Sequence, residues 1–270
     1  MWQTIRASAL DRHVHEEGYA ALVLSGGYEE AGDRGRFQVK EGDAIFHEPF
    51  EAHLDRFSET GAVVLNLRLP VGGSYAPGIA KVADPDSVAR VAEGSRRDAV
   101  DLLFSVTTSE VPRPADWPDV LAAALMQNPS LKLSQWAEKN GIAPWAVSRG
   151  FALVFGVSPE AFRARIRARY ALKSIQDTQA PLARIAAELG FADQSHMTRS
   201  VKQLTGIAPQ AWRFRCKWIQ DKKKPRRLER NDAPDSLSAL PSHSVFYQDC
   251  QPAPPVWRDR SPSHEHRLAT

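Results

Sequence analysis

A chain of 270 residues has room for two hydrophobic cores, and its two cysteines, Cys216 and Cys250, are too few for a disulfide framework. The net charge of +3 hides an uneven distribution: residues 1–117 hold 12 Lys/Arg against 19 Asp/Glu, residues 118–230 hold 20 against 8, and residues 231–270 hold 3 against 5. No apolar run approaches membrane-spanning length, and Met1–Glu17 carries charges without an apolar stretch, so a cytoplasmic protein with no membrane partner is expected.

The N-terminal part reads as short strands at Tyr19–Leu24, Arg36–Val39, Ala44–Phe46 and Ala62–Leu69, with turns at Gly26-Gly27 and Glu41-Gly42-Asp43. Frequent turns between short apolar strands predict an antiparallel sandwich or barrel, with fewer strands before residue 70 than a full jelly roll uses. Two helices follow. Asp84 is a natural cap with Pro85 at the first helical position. The second helix spans Arg96 to Val106, with Val100, Leu103 and Phe104 forming an apolar stripe. Pro112, Pro114 and Pro118 then read as a linker.

Residues 118–217 read as helical, and they contain one unit twice. Ala137-Glu138-Lys139-Asn140-Gly141 is answered by Ala186-Ala187-Glu188-Leu189-Gly190. Arg149 and Arg199, Gly156 and Gly206, Pro159 and Pro209, and Phe162 and Trp212 all lie 50 residues apart. Each copy reads as a helix, a sharp turn and a second helix suited to a DNA groove. In the first copy Val147, Phe151 and Val154 share a buried face, while Trp145, Ser148 and Arg149 point away from it. In the second, Asp193 caps the helix and Met197, Val201 and Leu204 form the buried stripe. Gln194, Ser195, His196, Arg199 and Lys202 are left on the open side.

Against DNA, an indole can pack on thymine methyls and a guanidinium can fork onto guanine, so Trp145, Ser148, Arg149, Gln194, Ser195, His196 and Arg199 are the candidate base readers. Lys202 is a candidate phosphate contact. Two structural alternatives stand beside these: Trp145 as a partly buried packing residue, and Arg199 as an ion-pair partner of Glu188. The connecting helix, Pro159 to Gln176, spans about 27 Å, comparable with the ~34 Å between successive groove faces. Arg163, Arg165, Arg167 and Arg169 lie along it and supply charge, Arg163 and Arg167 as phosphate contacts. Residues 218–270, with the basic run Lys222–Arg227 and many Pro and Ser, read as a disordered tail.

Gly190-Phe191-x-Asp193-x-Ser195-x-Met197-x-Arg199-x-Val201-Lys202, followed by Gly206-Ile207-x-Pro209, resembles the signature of AraC/XylS-type transcriptional regulators. The first unit and Arg167-x-x-x-Ala171 in the connecting helix match it too. Val201 stands at the usual Phe position and Ala143 at the usual Ser cap, whose loss costs about 1 kcal/mol. The smaller Val201 is expected to be offset by Met197 and Trp212.

His13-x-His15, Gly26, Gly42-Asp43 and Pro49-x-x-x-His53 resemble the paired motifs of the cupin barrel, which many regulators of this family carry as a sensor. His13, His15 and His53 then line the effector pocket. Three imidazoles could surround Zn²⁺, Fe²⁺ or Mn²⁺, but the carboxylate of the cupin pattern is replaced by Ala20 and Ala21, so no metal and no cofactor is expected.

The resulting expectation is an antiparallel cupin-like β-barrel (1–80) for sensing or dimerisation, a helical linker (81–117), an all-α DNA-binding domain of two helix-turn-helix units (118–217) and a basic, Pro-rich tail (218–270). The function it implies is a sequence-specific transcriptional regulator, not an enzyme. Its partners would be double-stranded DNA, a small-molecule effector, RNA polymerase and a second copy of the chain. The competing expectation is a cupin metalloenzyme, a dioxygenase or isomerase, fused to a DNA-binding domain.

Overall fold

Two long, bent strands organise the N-terminal half of the computed structural model, which describes residues 2–70, 78–109 and 116–214. They are β3 (Tyr19–Gly32) and β6 (Ala52–Arg68). The others are β1 (Trp2–Ile5), β2 (Ala9–Val14), β4 (Gly35–Lys40), β5 (Asp43–His47), β7 (Gly78–Val82) and β8 (Thr107–Ser109). All pair antiparallel in the order β1-β6-β3-β5-β7-β8, with β2 also on β6 and β4 also on β3.

Gly26-Gly27 is not the turn its composition predicts. β3 runs through it, with its register against β6 shifting between Val23 and Ser25 and again between Gly26 and Tyr28. Both strands bend there because Gly26 and Gly61 adopt positive φ (72° and 70°), and a Cβ on Gly26 would lie 2.1 Å from the Gly61 carbonyl oxygen. The expected strand Ala62–Leu69 is therefore only the second half of β6. The two halves of the bent sheet enclose one core, in which Ala21, Val23 and Ile45 meet Tyr28, Phe37 and Val39.

Helices α1 (Pro85–Gly94) and α2 (Arg96–Ser105) belong to this domain rather than forming a linker. Asp84 caps α1, accepting from the Ser87 amide at 2.9 Å with Pro85 behind it, as the sequence predicts. Val88, Ala89, Ala99, Val100 and Leu103 close over Leu22, Phe46, Leu65 and Leu67, and β8 then returns to pair with β7. Two amphipathic helices in a row carry more apolar area than a linker can leave in water, which is why they cover the sheet.

The helical half comprises α3 (Trp117–Gln127), α4 (Leu133–Lys139), α5 (Pro144–Phe155), α6 (Pro159–Asp177), α7 (Leu182–Glu188) and α8 (Gln194–Thr205), with a further helical stretch at 209–214. α6, 19 residues and about 28 Å long, is shared by two cores. Phe162 and Ile166 enter the first with Leu121, Trp136, Val147, Phe151 and Phe155. Ala171, Leu172 and Ile175 enter the second with Ile185, Phe191, Met197 and Val201. Among the described residues no helix is long and apolar enough to cross a membrane. The expected tail 218–270, with its basic run, and Pro112 and Pro114 lie outside the described residues.

Leu103 is fully buried at the α2–sheet contact. Leu103→Ala should lower the unfolding free energy by about 2–5 kcal/mol in a urea titration followed by circular dichroism. A loss near zero would mean that α2 is a detached linker after all.

Candidate nucleic-acid interface and the histidine cluster

The second helix of each unit, α5 and α8, presents one apolar face inward and a polar face to solvent. In α5, Val147, Phe151 and Phe155 are buried and Val154 is half-buried, whereas Trp145 (72% exposed), Ser148 and Arg149 face out together. The packing alternative for Trp145 therefore fails. α5 starts on Pro144 without a side-chain cap from Ala143. In α8, Met197 and Val201 are buried, and Gln194, Ser195, His196, Arg199 and Lys202 are exposed. Asp193 caps this helix by accepting from the His196 amide at 2.6 Å. The His196 ring also stands edge-on to Phe191 at 5.3 Å. Glu188 pairs with Arg184 at 2.7 Å, one turn away on α7, and not with Arg199. Among the described residues neither Arg149 nor Arg199 has an ion-pair partner, so both guanidinium groups are open to an external acceptor.

The arginines of α6 are placed differently from their expected role. Arg163 donates to the Leu131 carbonyl at 3.3 Å, and Arg167 donates to the Pro129 carbonyl at 3.0 Å with its guanidinium 5.6 Å from the Phe191 ring centre. Both are half-buried and brace the loop before α4. Arg165 and Arg169, on the opposite side of the helix, face the β domain. Arg165 donates to Asp33 at 2.9 Å and to the Phe50 carbonyl at 2.6 Å, and Arg169 donates to Glu48 at 2.9 Å. The charge that the sequence assigns to a DNA-facing rod is thus largely spent inside the protein.

Asp33 is 1% exposed and collects most of this charge. It pairs with Arg12 and Arg165, lies 3.8 Å from Arg169, and accepts from the Ala52 amide at 3.1 Å. Arg12 donates onward to the Phe155 carbonyl at 3.0 Å, and Arg56 donates to Leu153 at 2.7 Å. Two β-domain arginines therefore satisfy the last carbonyls of α5, where the helix dipole favours cations.

On the opposite side of β2 from Arg12, the three sequence-predicted histidines come together. Ring centres are 4.3 Å apart for His13–His53, 5.0 Å for His13–His15 and 5.4 Å for His15–His53. The structure adds four groups that sequence reasoning missed: Tyr19, Glu30, His47 and Asp55. His47 lies 4.5 Å from His53 between ring centres and 3.4 Å from the Glu30 carboxylate. Tyr19 Oη is 3.2 Å from His53 Nε2, and Asp55 is 3.8 Å from the same ring. His47, Glu30, His53 and Asp55 are all buried.

Burial pushes His15 and His47 down to about 4 and His53 lower still, so all three rings are neutral at neutral pH. Burial also holds the Glu30 carboxyl well above the usual range and moves Asp55 up to about 8, with each carboxyl repelled by an acidic neighbour. A separate cleft of about 890 Å³ lies between the β domain and the helices, lined by Leu10, Arg12, Leu54, Leu153, Arg165 and Leu204 among others.

Residues 136–215 match the family described as a helix-turn-helix domain. Over 78 residues the chain is 32% identical to the virulence regulon transcriptional activator VirF of Yersinia enterocolitica and to the thermoregulatory protein LcrF of Yersinia pestis, covering 29% of this chain and 29% of each relative. The HTH-type transcriptional regulator ExsA of Pseudomonas aeruginosa is 32% identical over the same length, 28% of that protein. The chain thus spans less than a third of the length of the curated relatives it matches. Among solved structures, unsaturated fatty acid-bound ToxT from Vibrio cholerae aligns over 79% of this chain and 94% of its own at 10% identity and a TM-score of 0.38. A transcriptional regulator with an AraC-type DNA-binding domain from Chromobacterium violaceum aligns over 36% and 88% at 19% identity and a TM-score of 0.34.

Residues 136–215 are thus similar to the helix-turn-helix domains of transcriptional regulators, here with an antiparallel β domain in front.

Removing the Asp33 charge leaves Arg12 and Arg165 partly buried without compensation. Asp33→Asn should cost about 3–5 kcal/mol of unfolding free energy. As a control, Arg184→Ala, which breaks a solvent-exposed pair, should leave the denaturation midpoint where it is. Equal effects of the two substitutions would mean that the Asp33 cluster contributes no more than a surface bridge.

Proposed function

We propose that the protein is a sequence-specific DNA-binding regulator of transcription whose N-terminal domain adjusts DNA binding in response to an effector. The observation that carries this reading is the pair of exposed helix faces, Trp145-Ser148-Arg149 on α5 and Gln194-Ser195-His196-Arg199-Lys202 on α8, in a segment that matches a helix-turn-helix domain. Both faces are polar, cationic and unoccupied by other described residues, as major-groove readers require. α6 separates the two units by about 28 Å, so α5 and α8 are suited to successive major grooves on one side of a duplex, about 34 Å apart.

Arg149 and Arg199 supply guanine recognition, Trp145 packs on thymine methyls, and Lys202 fixes the register on phosphate. Arg163 and Arg167 act indirectly, through the loop they brace, rather than as first-line phosphate contacts. The β domain carries the effector site, for which the cluster around His13, His15 and His53 is the candidate. RNA polymerase and a second copy of the chain are the further partners of such a regulator.

The test starts from duplexes selected from a random pool by the full chain. Arg149→Ala and Arg199→Ala should each weaken binding to a selected duplex by about 1–3 kcal/mol and act less on a scrambled one. Lys202→Ala should weaken both duplexes alike and make binding less steeply dependent on salt. Equal losses on both duplexes for the two arginine variants would reassign them to phosphate contact, and binding insensitive to salt would overturn the DNA-binding reading.

A further inference from the structure

Between β5 and β6 the chain makes one short crossing, Glu48 to Glu51, with His47 at the end of one strand and His53 near the start of the next. This crossing reaches the second helix-turn-helix unit. Glu48 pairs with Arg34 and Arg169, and Glu51 pairs with Arg34. Phe50 enters the apolar core of the second unit and stands edge-on to Trp212 at 5.8 Å between ring centres. Among the described residues Phe50 is the only non-glycine with positive φ, 62°, a conformation held in place by the contacts on either side of it.

The other ends of the crossing are anchored in a set of groups that is incomplete as it stands. His47 Nε2 and His53 Nδ1 are buried without hydrogen-bond partners. Buried polar atoms are normally paired, and an orphaned one is costly. The buried Glu30 carboxyl lies 3.4 Å from His47 Nε2, too poorly aligned for a hydrogen bond between them. One ligand atom from each of Glu30, His47 and His53 lies within 4.8 Å of the other two, and His13, His15 and His53 form a second such group at the half-buried edge.

We propose that Glu30, His47 and His53 hold a divalent first-row transition-metal ion of the zinc class, and that this ion is the effector, acting by fixing the 48–51 crossing on the second helix-turn-helix unit. Donors this close need only small side-chain rotations to reach about 2.0–2.2 Å from one centre. Two imidazoles and one carboxylate suit Zn²⁺ and its neighbours, whereas Ca²⁺ and Mg²⁺ require oxygen-rich shells. The outer group, sharing His53, gives an ion a path from solvent to the buried centre. Glu30 supplies the carboxylate that is missing beside the histidine pair, and it does so from beyond the bulges in β3, out of reach of any spacing rule. With both ends of the crossing tied to one ion, Phe50 and Glu48 are held where they engage α6 and the second unit. In this docked arrangement the reading faces of α5 and α8 stay exposed, so the ion pre-organises the protein for DNA.

This inference rests on the regulator reading above, and the experiment separates the two. The full chain, prepared without a histidine tag and dialysed against a chelator, is titrated with Zn²⁺ by calorimetry and with Co²⁺ by visible absorption. One ion per chain is expected, with no competition from millimolar Mg²⁺. Glu30→Gln and His47→Gln, checked for folding by circular dichroism, should each weaken Zn²⁺ binding at least tenfold and alter the Co²⁺ spectrum. Zn²⁺ should tighten binding of the native chain to a selected duplex at least fivefold and leave the His47→Gln variant unmoved.

Absence of stoichiometric Zn²⁺ binding would overturn the metal site while leaving DNA binding intact. Loss of binding in His13→Gln but not in His47→Gln would move the site to the outer group and overturn the assignment. Zn²⁺ bound at the triad with unchanged or weaker DNA affinity would overturn the effector role. Zn²⁺ bound with no DNA binding under any condition would overturn the regulator reading instead.

Discussion

A single buried carboxylate holds the two halves of this protein in register. Asp33 sits at the end of the bent strand β3, almost without solvent, and is satisfied by an amide of β6, an arginine of β2 and an arginine of α6. An ionised carboxylate in that position is tolerable only while its cations are present, and those cations come from both domains. Arg12 extends the connection to the C-terminal end of α5, and Arg169 extends it to Glu48. Separation of the domains would therefore expose a charge on each side at once. The acidic first half and the basic second half of the sequence are complementary to one another.

That complementarity explains how the charge pattern misleads. The excess of Lys and Arg in residues 118–230 reads as a phosphate-binding surface, and the alternation Arg163, Arg165, Arg167, Arg169 reads as its spine. On a helix, residues four apart share a side. Arg165 and Arg169 turn to the β domain, while Arg163 and Arg167 turn to the loop before α4. On α5 and α8 Arg149, Arg199 and Lys202 remain exposed, and further exposed lysines lie at Lys132, Lys139 and Lys173.

The duplicated unit was legible because its signals are local: an apolar stripe at helical spacing, a cap at Asp193, a turn glycine and a fixed offset. The β domain was legible in class but not in detail. Gly26-Gly27 has the composition of a hairpin turn, yet Gly61 stands opposite it and the pair makes a bend in two continuous strands. The bulges there also shift which residues face inward, so Glu30 could not be assigned to the histidine side by alternation from Tyr19. His47 was hidden for a related reason: a motif anchored on Pro49 and His53 passes over the strand end just before it. Long-range pairing decides both positions, and a single sequence does not record it.

The second helix-turn-helix unit shows what this pairing is for. Val201 occupies a core position where the family pattern has a larger aromatic residue, and Met197 and Trp212 do not close that core alone. Phe50 completes it from the β domain, on a backbone that an unsupported loop would not adopt. The unit therefore borrows part of its core from the domain in front of it. An element whose packing depends on a neighbour is less stable without it, so the stability of the second unit is tied to the seating of Phe50. By linkage, anything that binds the form with Phe50 seated more tightly stabilises the second unit in return. The short crossing between β5 and β6 carries Phe50 into that core, and Glu48 on the same crossing pairs with Arg169 of α6. Its two flanking histidines, His47 and His53, each lie three residues from Phe50, so a chemical change at either acts close to the contact that completes the second unit.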